Sequence, residues 1–183
     1  RLNFTKSTGH PVIVYGQTEV TRDLYDARAA CGAQTVFEAS DVTIDGIETA
    51  TPQVSYTHGG TRHTIRCDYI AGCDGYHGIS RQTVPADKRR EYTQTYPFGW
   101  LGVLSHTPPV HHDLIYASSD RGFALCSMRN ANLSRYYIQC DMADDVANWH
   151  DDAFWEELKR RLPPQVATGL VTGPSIEKTI APL

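Results

Sequence analysis

Hydrophobic and polar positions divide the chain into short strand-like runs and two stretches with helical spacing. Apolar residues recur every three or four positions over residues 19–31 and 152–162, which predicts an amphipathic helix in each stretch. The other apolar runs are short, rich in β-branched and aromatic residues and bounded by turn residues, which predicts strands. The predicted strands cover residues 12–15, 35–38, 42–44, 54–57, 63–67, 69–71, 96–104, 113–117, 122–128, 135–141 and 176–180.

Both predicted helices carry start and stop signals. Thr18 and Asp151 stand where a side-chain oxygen can cap a helix start, and Gly32 and Pro163 stand where the helices should end. A short helical piece is also predicted over residues 165–170. The apolar faces consist of Val20, Leu24, Ala27 and Cys31 in the first helix, and of Phe154, Trp155, Leu158 and Leu162 in the second.

The order of these elements predicts a mixed α/β (α+β) fold with two domains. A polar stretch over residues 85–90 is typical of a linker, so we place a boundary near Arg90. After it, successive strands separated by turns predict an antiparallel sheet. Before it, the Gly59-Gly60 hairpin leads into a further strand. The predicted domains are residues 1–90 and 91–183.

Residues 68–81 are the most informative stretch of the first half. They predict a strand buried on both faces (69–71), a turn at Asp74-Gly75 and a helix start that carries Arg81. In open α/β sheets, nucleotides bind in the crevice at the carboxyl ends of such strands. The alternative is an ordinary strand, polar turn and helix with no ligand.

Composition indicates a globular protein and argues against nucleic-acid binding. Of its 183 residues, 40% are hydrophobic and 21% charged, enough for a packed core. The net charge is −4 and no block of Lys and Arg occurs, which argues against nucleic-acid binding. No apolar run approaches the length of a membrane span. The chain starts without Met and in the middle of a pattern, so we expect an internal piece of a longer protein.

The five cysteines are irregularly spaced and lack a C-x-x-C pair, which argues against a structural zinc site. Three lie in strand-like runs, so we expect free thiols in a reducing compartment such as the cytoplasm. His111-His112-Asp113 is not expected to bind a metal, because neighbouring strand residues point to opposite faces. No Gly-x-Ser-x-Gly motif of a serine nucleophile is present.

Two residue groups and one amide are candidates for ligand binding. Alternation places Ser127 and Arg129 on one face of a strand, where a hydroxyl and a guanidinium fork suit one carboxylate, with Tyr137 on the next strand. The alternative is a solvated Arg in a surface salt bridge. His77 and Arg81, four residues apart, form either a phosphate site or a solvated helix face. Gln17, at a strand-to-helix junction, either meets a cofactor or faces solvent.

Asp74-Gly75-x-His77-Gly78-x-Ser80-Arg81 resembles the Asp-Gly motif of the class A flavoprotein aromatic hydroxylases. The general motif has Ser where Gly78 stands, whereas the hydroxybenzoate branch of that family is similar to this sequence there. Met128 stands where relatives carry a polar residue, which leaves the fine-tuning of substrate choice open. The resemblance to the hydroxybenzoate branch is collinear over nearly the whole chain, in residues 15–24, 69–81, 96–102, 114–117, 121–127 and 134–137.

This resemblance implies FAD- and NADPH-dependent hydroxylation of 4-hydroxybenzoate to 3,4-dihydroxybenzoate with molecular oxygen, in a cytoplasmic homodimer. Residues 1–90 would be part of a Rossmann-like FAD-binding domain without its Gly-rich motif. Residues 91–183 would be a substrate domain without its C-terminal part. The chain alone is therefore predicted to be inactive. The alternatives are a sibling hydroxylase of another aromatic acid, such as 3-hydroxybenzoate, and a non-catalytic module that binds aromatic carboxylates.

The resemblance also implies roles for individual residues. Tyr116 would hydrogen-bond the substrate phenol and help to remove its proton, which makes the ring more electron-rich. The substrate carboxylate would be bound by Ser127, Met128 through its backbone, Arg129 and Tyr137. FAD would be bound by Gln17, Asp74, Gly75 and Arg135, and NADPH by His77 and Arg81.

Overall fold

The computed structural model describes residues 2–182, which form two compact units. One unit comprises the described residues up to Arg22 and from Gln94 onward, and the other comprises Asp23–Thr93. The helices are α1 (Phe4–Thr8), α2 (Gln17–Ala30), α3 (Ile79–Thr83), α4 (Asp151–Arg161) and α5 (Pro164–Ala167). The strands are β1 (Ser40–Asp45), β2 (Gln53–His58), β3 (Thr61–Arg66), β4 (Gly99–Ser105), β5 (Ile115–Ser119), β6 (Gly122–Asn130), β7 (Leu133–Cys140) and β8 (Ser175–Pro182).

The larger unit contains the predicted antiparallel sheet. Its strands lie in the order β5-β6-β7-β4-β8, and every neighbouring pair is antiparallel. Helix α4 packs on one face of this sheet, and its side chains Phe154 and Leu158 are fully buried in the core between them. The rings of Tyr136 and Trp155 meet edge to face at 5.0 Å. The predicted apolar face of this helix is therefore confirmed as part of the core.

Ion pairs fix both ends of α4. Near its C-terminus Glu157 accepts hydrogen bonds from Arg161 Nε at 2.8 Å and from Arg121 Nη2 at 2.6 Å. Burial opposes the charge of Glu157, but the two guanidinium groups outweigh it and lower the pKa of that carboxyl. At the N-terminus the cap position is His150, so the prediction that Asp151 caps the helix is wrong. The Asp151 carboxylate instead accepts bonds from Ser175 and Lys178 of β8.

The smaller unit contains a three-stranded antiparallel sheet in the order β1-β2-β3. The predicted hairpin is confirmed, and its turn residues Gly59 and Gly60 have φ of 55° and 76°. Both values lie in the region that glycine adopts without steric cost, which is what a tight two-residue hairpin turn requires. Across the hairpin, the hydroxyls of Ser55 and Thr64 are hydrogen-bonded at 2.9 Å.

Three predicted strands are absent from the described residues: 12–15, 35–38 and 69–71. Their apolar side chains are largely exposed, reaching 84% at Ile13 and 92% at Tyr69. A run of β-branched and aromatic residues forms a strand only where a neighbour satisfies its backbone N–H and C=O groups. Among the described strands none pairs with these runs, so the composition alone does not produce a strand.

The first long helix is confirmed as α2, with small differences at its start. It begins at Gln17, so Thr18 lies within the helix and does not cap it. Gly32 follows its end with φ of 69°, as the predicted stop requires. Its apolar face is not buried by the described residues, since Leu24 is 60% exposed.

The cysteines are free thiols. Cys126 and Cys140 belong to the sheet core, and burial raises the pKa of Cys126 to about 12. Within residues 2–182, the helices are all too short or too polar to span a bilayer.

Candidate functional site

Four of the predicted site residues share one face of the five-stranded sheet. Strand register pairs Tyr116 of β5 with Leu125 of β6, and Leu125 with Tyr137 of β7. It also pairs Ser127 with Arg135. Because side chains alternate along a strand, these residues point away from the core that α4 covers. The structure thus brings Tyr116, Ser127, Arg135 and Tyr137 together on this face, called here the polar face. Arg129 lies two residues after Ser127, where a register irregularity between Met128 and Asn130 interrupts the alternation.

The polar face is organised in rows that run across the strands. Tyr116, Leu125 and Tyr137 form one row, which continues to Gly102 of β4. The neighbouring row contains Ser127 and Arg135 and ends at Glu177 of β8. Two inter-strand spacings separate Tyr116 from Tyr137, about 9.6 Å between backbones. This span suits a benzene ring that carries polar groups at opposite ends.

Arg135 is held by two partners on the polar face. Its Nη1 lies 2.8 Å from Glu177 Oε1, and its Nε donates to Tyr137 Oη at 3.2 Å. Burial opposes the charge of this guanidinium, but the bonds to Glu177 and Tyr137 outweigh burial and raise the pKa of Arg135. Arg135 is therefore fixed in direction as well as charged.

Gly102 makes room for Tyr137. A Cβ at this position would lie 2.8 Å from Tyr137 Cε1 and 3.6 Å from Arg135 Nη2. Real Cβ atoms do not approach other heavy atoms so closely, so any larger residue at 102 would displace the ring. Trp100 meets the same ring edge to face at 6.1 Å. Gly102 and Trp100 thus define where the Tyr137 hydroxyl lies.

The start of α2 lies beside Arg129. Gly16 is buried, and a Cβ on it would stand 4.0 Å from Arg129 Cδ. Gln17 follows as the first residue of the helix and is exposed. Met128 lies between Ser127 and Arg129, but its side chain points to the opposite face of the sheet. Only the backbone of Met128 is available to a ligand on the polar face.

In the smaller unit, the Asp74 side chain bonds the first turn of helix α3, whose cap position is Gly78. The backbone N–H of Ser80 donates to Asp74 Oδ2 at 2.9 Å, and this bond is the main reason that the pKa of Asp74 is lowered. Gly78 must lack a side chain, because a Cβ there would lie 2.1 Å from the Asp74 carboxyl carbon. Asp74 therefore organises the turn itself, a role that the sequence analysis did not predict.

An open hollow of about 370 Å³ lies at this turn. Its walls combine apolar side chains with the Asp74-Gly75 turn and Arg81. Gly75 has φ of 72°, and no atom lies within 4 Å of the place where its Cβ would be, so a ligand can approach the backbone closely. Arg81 Nε is buried and has no hydrogen-bond partner among the described residues. An open glycine and an unpartnered guanidinium N–H fit a cofactor that carries phosphate groups.

The prediction that His77 and Arg81 share a helix face is wrong, because α3 begins only at Ile79. His77 lies in the preceding turn, and the ring of Tyr76 contacts both residues. The Arg81 guanidinium lies 4.0 Å from the centroid of that ring, and His77 meets its edge at 5.0 Å. Arg81 also pairs with Glu91 at 3.1 Å. The His77 and Arg81 side chains are thus brought together by Tyr76 and not by a helix.

Glu177, Gly102 and Trp100 were not predicted from the sequence as residues of this site. Residues 176–180 and 96–104 were predicted as strands, but the periodicity of a strand does not determine which strands lie next to it in the sheet. Only the arrangement of β4 between β7 and β8 places Glu177 within reach of Arg135. The shared face of Ser127 and Arg129 stays a prediction, because a register irregularity between Met128 and Asn130 interrupts the alternation on which it depends.

Comparisons with known proteins agree with these features. A family model described as an FAD binding domain matches residues 1–183. The p-hydroxybenzoate hydroxylase of Acinetobacter baylyi is 57% identical over 175 residues, which are 96% of this chain and 43% of that protein. The crystal structure of CmlS, a flavin-dependent halogenase, shares the fold at a TM-score of 0.63 and 17% identity, over 90% of this chain and 30% of CmlS.

The chain thus spans less than half the length of the curated relative that it matches. The family model, in contrast, covers the sequence from end to end. The open glycine turn with its unpartnered Arg81 N–H is consistent with that family. By this match the chain belongs to the FAD binding domain family.

Proposed function

We propose that this chain is the central part of an FAD- and NADPH-dependent monooxygenase that converts 4-hydroxybenzoate to 3,4-dihydroxybenzoate. The observation that carries the proposal is the polar face, where Tyr116 stands on edge strand β5, Ser127 on the neighbouring strand β6, and Arg135 and Tyr137 on the next strand β7. The relative named p-hydroxybenzoate hydroxylase supports the same substrate. The domain assignment is part of the proposal: residues 1–90 serve FAD and residues 91–183 serve the substrate.

The carboxylate end of the substrate is bound by Ser127, Arg129 and Tyr137. A guanidinium donates in a planar fork that matches the two oxygens of a carboxylate. Ser127 is only 6% exposed, so a bond from its hydroxyl is made away from bulk water and gains strength. The backbone of Met128 completes this end. Fixing the carboxylate determines which ring carbon is presented for hydroxylation.

The phenol end of the substrate meets Tyr116. Tyr116 is 63% exposed in this chain and packs on Phe123 at 5.5 Å, so its hydroxyl is free to face a ligand. A hydrogen bond from the substrate O–H to Tyr116 Oη draws the proton away from the substrate oxygen. The ring then gains phenolate character, and a phenolate is far more reactive toward an electrophilic oxygen than a phenol.

Gln17, Asp74, Gly75 and Arg135 are the residues that we assign to FAD, and His77 and Arg81 those that we assign to NADPH. Bound FAD supplies the activation of molecular oxygen, which no side chain can perform. Arg81 offers the unpartnered Nε–H to a phosphate, while Glu91 retains Nη2. We further propose a homodimer that resides in the cytoplasm.

Substitution at each end of the substrate tests the proposal in the complete enzyme. Arg129→Ala should weaken 4-hydroxybenzoate binding by at least tenfold, because a charge-assisted bond to a carboxylate contributes about 1.5–3 kcal/mol. Tyr116→Phe should lower kcat for 3,4-dihydroxybenzoate formation more than it weakens binding. Arg160→Ala, on the exposed side of α4, is the control and should change neither quantity. Unchanged substrate affinity in Arg129→Ala would refute the carboxylate assignment.

The chain alone is expected to lack this activity. Its match covers 43% of the length of its relative, so more than half of that protein has no counterpart in residues 1–183. The measurement is NADPH-dependent formation of 3,4-dihydroxybenzoate by the isolated chain with added FAD. Turnover comparable to that of the complete enzyme would show that residues 1–183 contain the whole catalytic site.

A further inference from the structure

Arg135 connects Glu177 to Tyr137 across three strands. Register places Arg135 and Glu177 on either side of Leu104, in one row of the polar face. Arg135 Nη1 reaches Glu177 Oε1 at 2.8 Å, while Nε donates to Tyr137 Oη at 3.2 Å. The Arg135 side chain is only 14% exposed, whereas that of Glu177 is 48% exposed. The carboxylate thus holds a nearly buried cation whose other side contacts a tyrosine hydroxyl.

This arrangement determines the hydrogen-bonding role of Tyr137. A guanidinium can only donate, so the bond from Arg135 Nε occupies a lone pair of Tyr137 Oη. The O–H of Tyr137 must then point away from Arg135 and donate to another acceptor. The ring of Tyr137 lies over Gly102 of β4, and its hydroxyl contacts Arg135, whose row also contains Ser127. In the proposed site the substrate carboxylate beside Ser127 supplies the acceptor for this O–H.

The space around the ring supports the same role. The ring of Tyr137 lies over Gly102, where even a methyl group would collide with it. Trp100 bounds the ring on another side. The ring is thus restricted by packing and the hydroxyl by Arg135, so the direction of the O–H depends on where the guanidinium is held. Glu177 is the group that fixes its far end.

We propose that Glu177 is a positioning residue that acts through Arg135 to aim the Tyr137 hydroxyl at the substrate carboxylate. This inference rests on the proposed function, since it assumes that a carboxylate binds beside Ser127. Glu177 touches neither the substrate nor FAD in this account. Its contribution to affinity is therefore present only while Tyr137 carries its hydroxyl and the ligand carries its carboxylate.

A double-mutant cycle in the complete enzyme tests this dependence. Glu177→Ala should weaken 4-hydroxybenzoate binding about fivefold to tenfold, the size expected for residues coupled in one hydrogen-bond network. In a Tyr137→Phe background the same change should have no further effect. Glu177→Gln, which retains an acceptor without the charge, should restore part of the affinity. Glu156→Ala, on the exposed side of α4, is the control and should leave affinity unchanged.

A second ligand separates positioning from a structural role. 4-Methylphenol has the same ring and phenol but no hydrogen-bond acceptor at the opposite end, so Glu177→Ala should hardly change its affinity. Equal losses for both ligands, or additive effects of Glu177→Ala and Tyr137→Phe, would overturn the inference. The Glu177 side chain is half exposed, so we expect each variant to fold. If Glu177→Ala does not fold, Glu177→Asp is measured in its place. Failure of the unaltered enzyme to bind 4-hydroxybenzoate would instead refute the proposed function.

Discussion

At the scale of single residues, the polar face depends on a few positions where size or direction is restricted. Alternation in β6 predicts that Ser127 and Arg129 share a face, but a register irregularity between Met128 and Asn130 interrupts the alternation at Arg129, so the shared face stays a prediction. The same pattern could not predict that Gly102 lies under Tyr137, because that contact joins two strands. Likewise, the Asp74-Gly75 turn was predictable, but not that the Asp74 side chain bonds the first turn of α3 through Ser80.

Gly102 provides a prediction at this scale. Gly102→Ala should displace the Tyr137 ring and weaken 4-hydroxybenzoate binding in the complete enzyme, because the new Cβ would lie 2.8 Å from Cε1. The overpacking should also lower the free energy of unfolding by about 1–3 kcal/mol. Calorimetry and thermal unfolding measure the two effects.

Gly169→Ala is the control, since a Cβ there meets its nearest atom only at 3.6 Å. Unchanged ligand affinity in Gly102→Ala would mean that the position of the Tyr137 ring does not matter for binding.

At the scale of elements, helix α4 and strands β4 to β8 were predicted because each has a clear period and packs on another described element. The runs at 12–15 and 69–71 have strand-like composition but no described partner strand, and they remain outside any strand and largely exposed. Periodicity reports which side chains suit burial, whereas backbone pairing decides whether a strand forms. The order of the strands in the sheet likewise could not be predicted from the sequence.

The link between α4 and β8 gives a pH prediction. Bonds from Lys178 and Ser175 lower the pKa of Asp151 to about 2, from a usual value of 3.8. A carboxyl whose pKa is lowered by folding stabilises the folded state above its unfolded pKa, and this stabilisation is lost as pH falls toward the folded pKa. Asp151→Asn should therefore reduce the unfolding midpoint at pH 7, and the difference from the unaltered chain should shrink between about pH 4 and pH 2.

Asp152→Asn is the matched control, because Asp152 is the next residue of the same helical turn and is exposed. It should shift the midpoint little at any pH. A difference for Asp151→Asn that stays constant down to pH 2 would show that its ion pair with Lys178 does not contribute through ionisation.

At the scale of the whole molecule, the chain separates into two compact units, each with candidate site residues of its own. The larger unit contains the polar face and the start of α2 with Gln17. The smaller unit contains the Asp74-Gly75 turn and Arg81. The predicted domain boundary near Arg90 lies close to the end of the smaller unit at Thr93. The grouping of the described residues up to Arg22 with the larger unit was not predicted from the sequence.

The polar face is proposed as the substrate site, with the phenol end bound at Tyr116 of β5 and the carboxylate end at residues of β6 and β7. A crystal structure of the complete enzyme with 4-hydroxybenzoate bound measures this most directly. We predict that the carboxylate lies within hydrogen-bond distance of Ser127, Arg129 and Tyr137, and that the phenol oxygen lies within hydrogen-bond distance of Tyr116 Oη. A ligand bound in the reverse direction, or away from these side chains, would contradict the account.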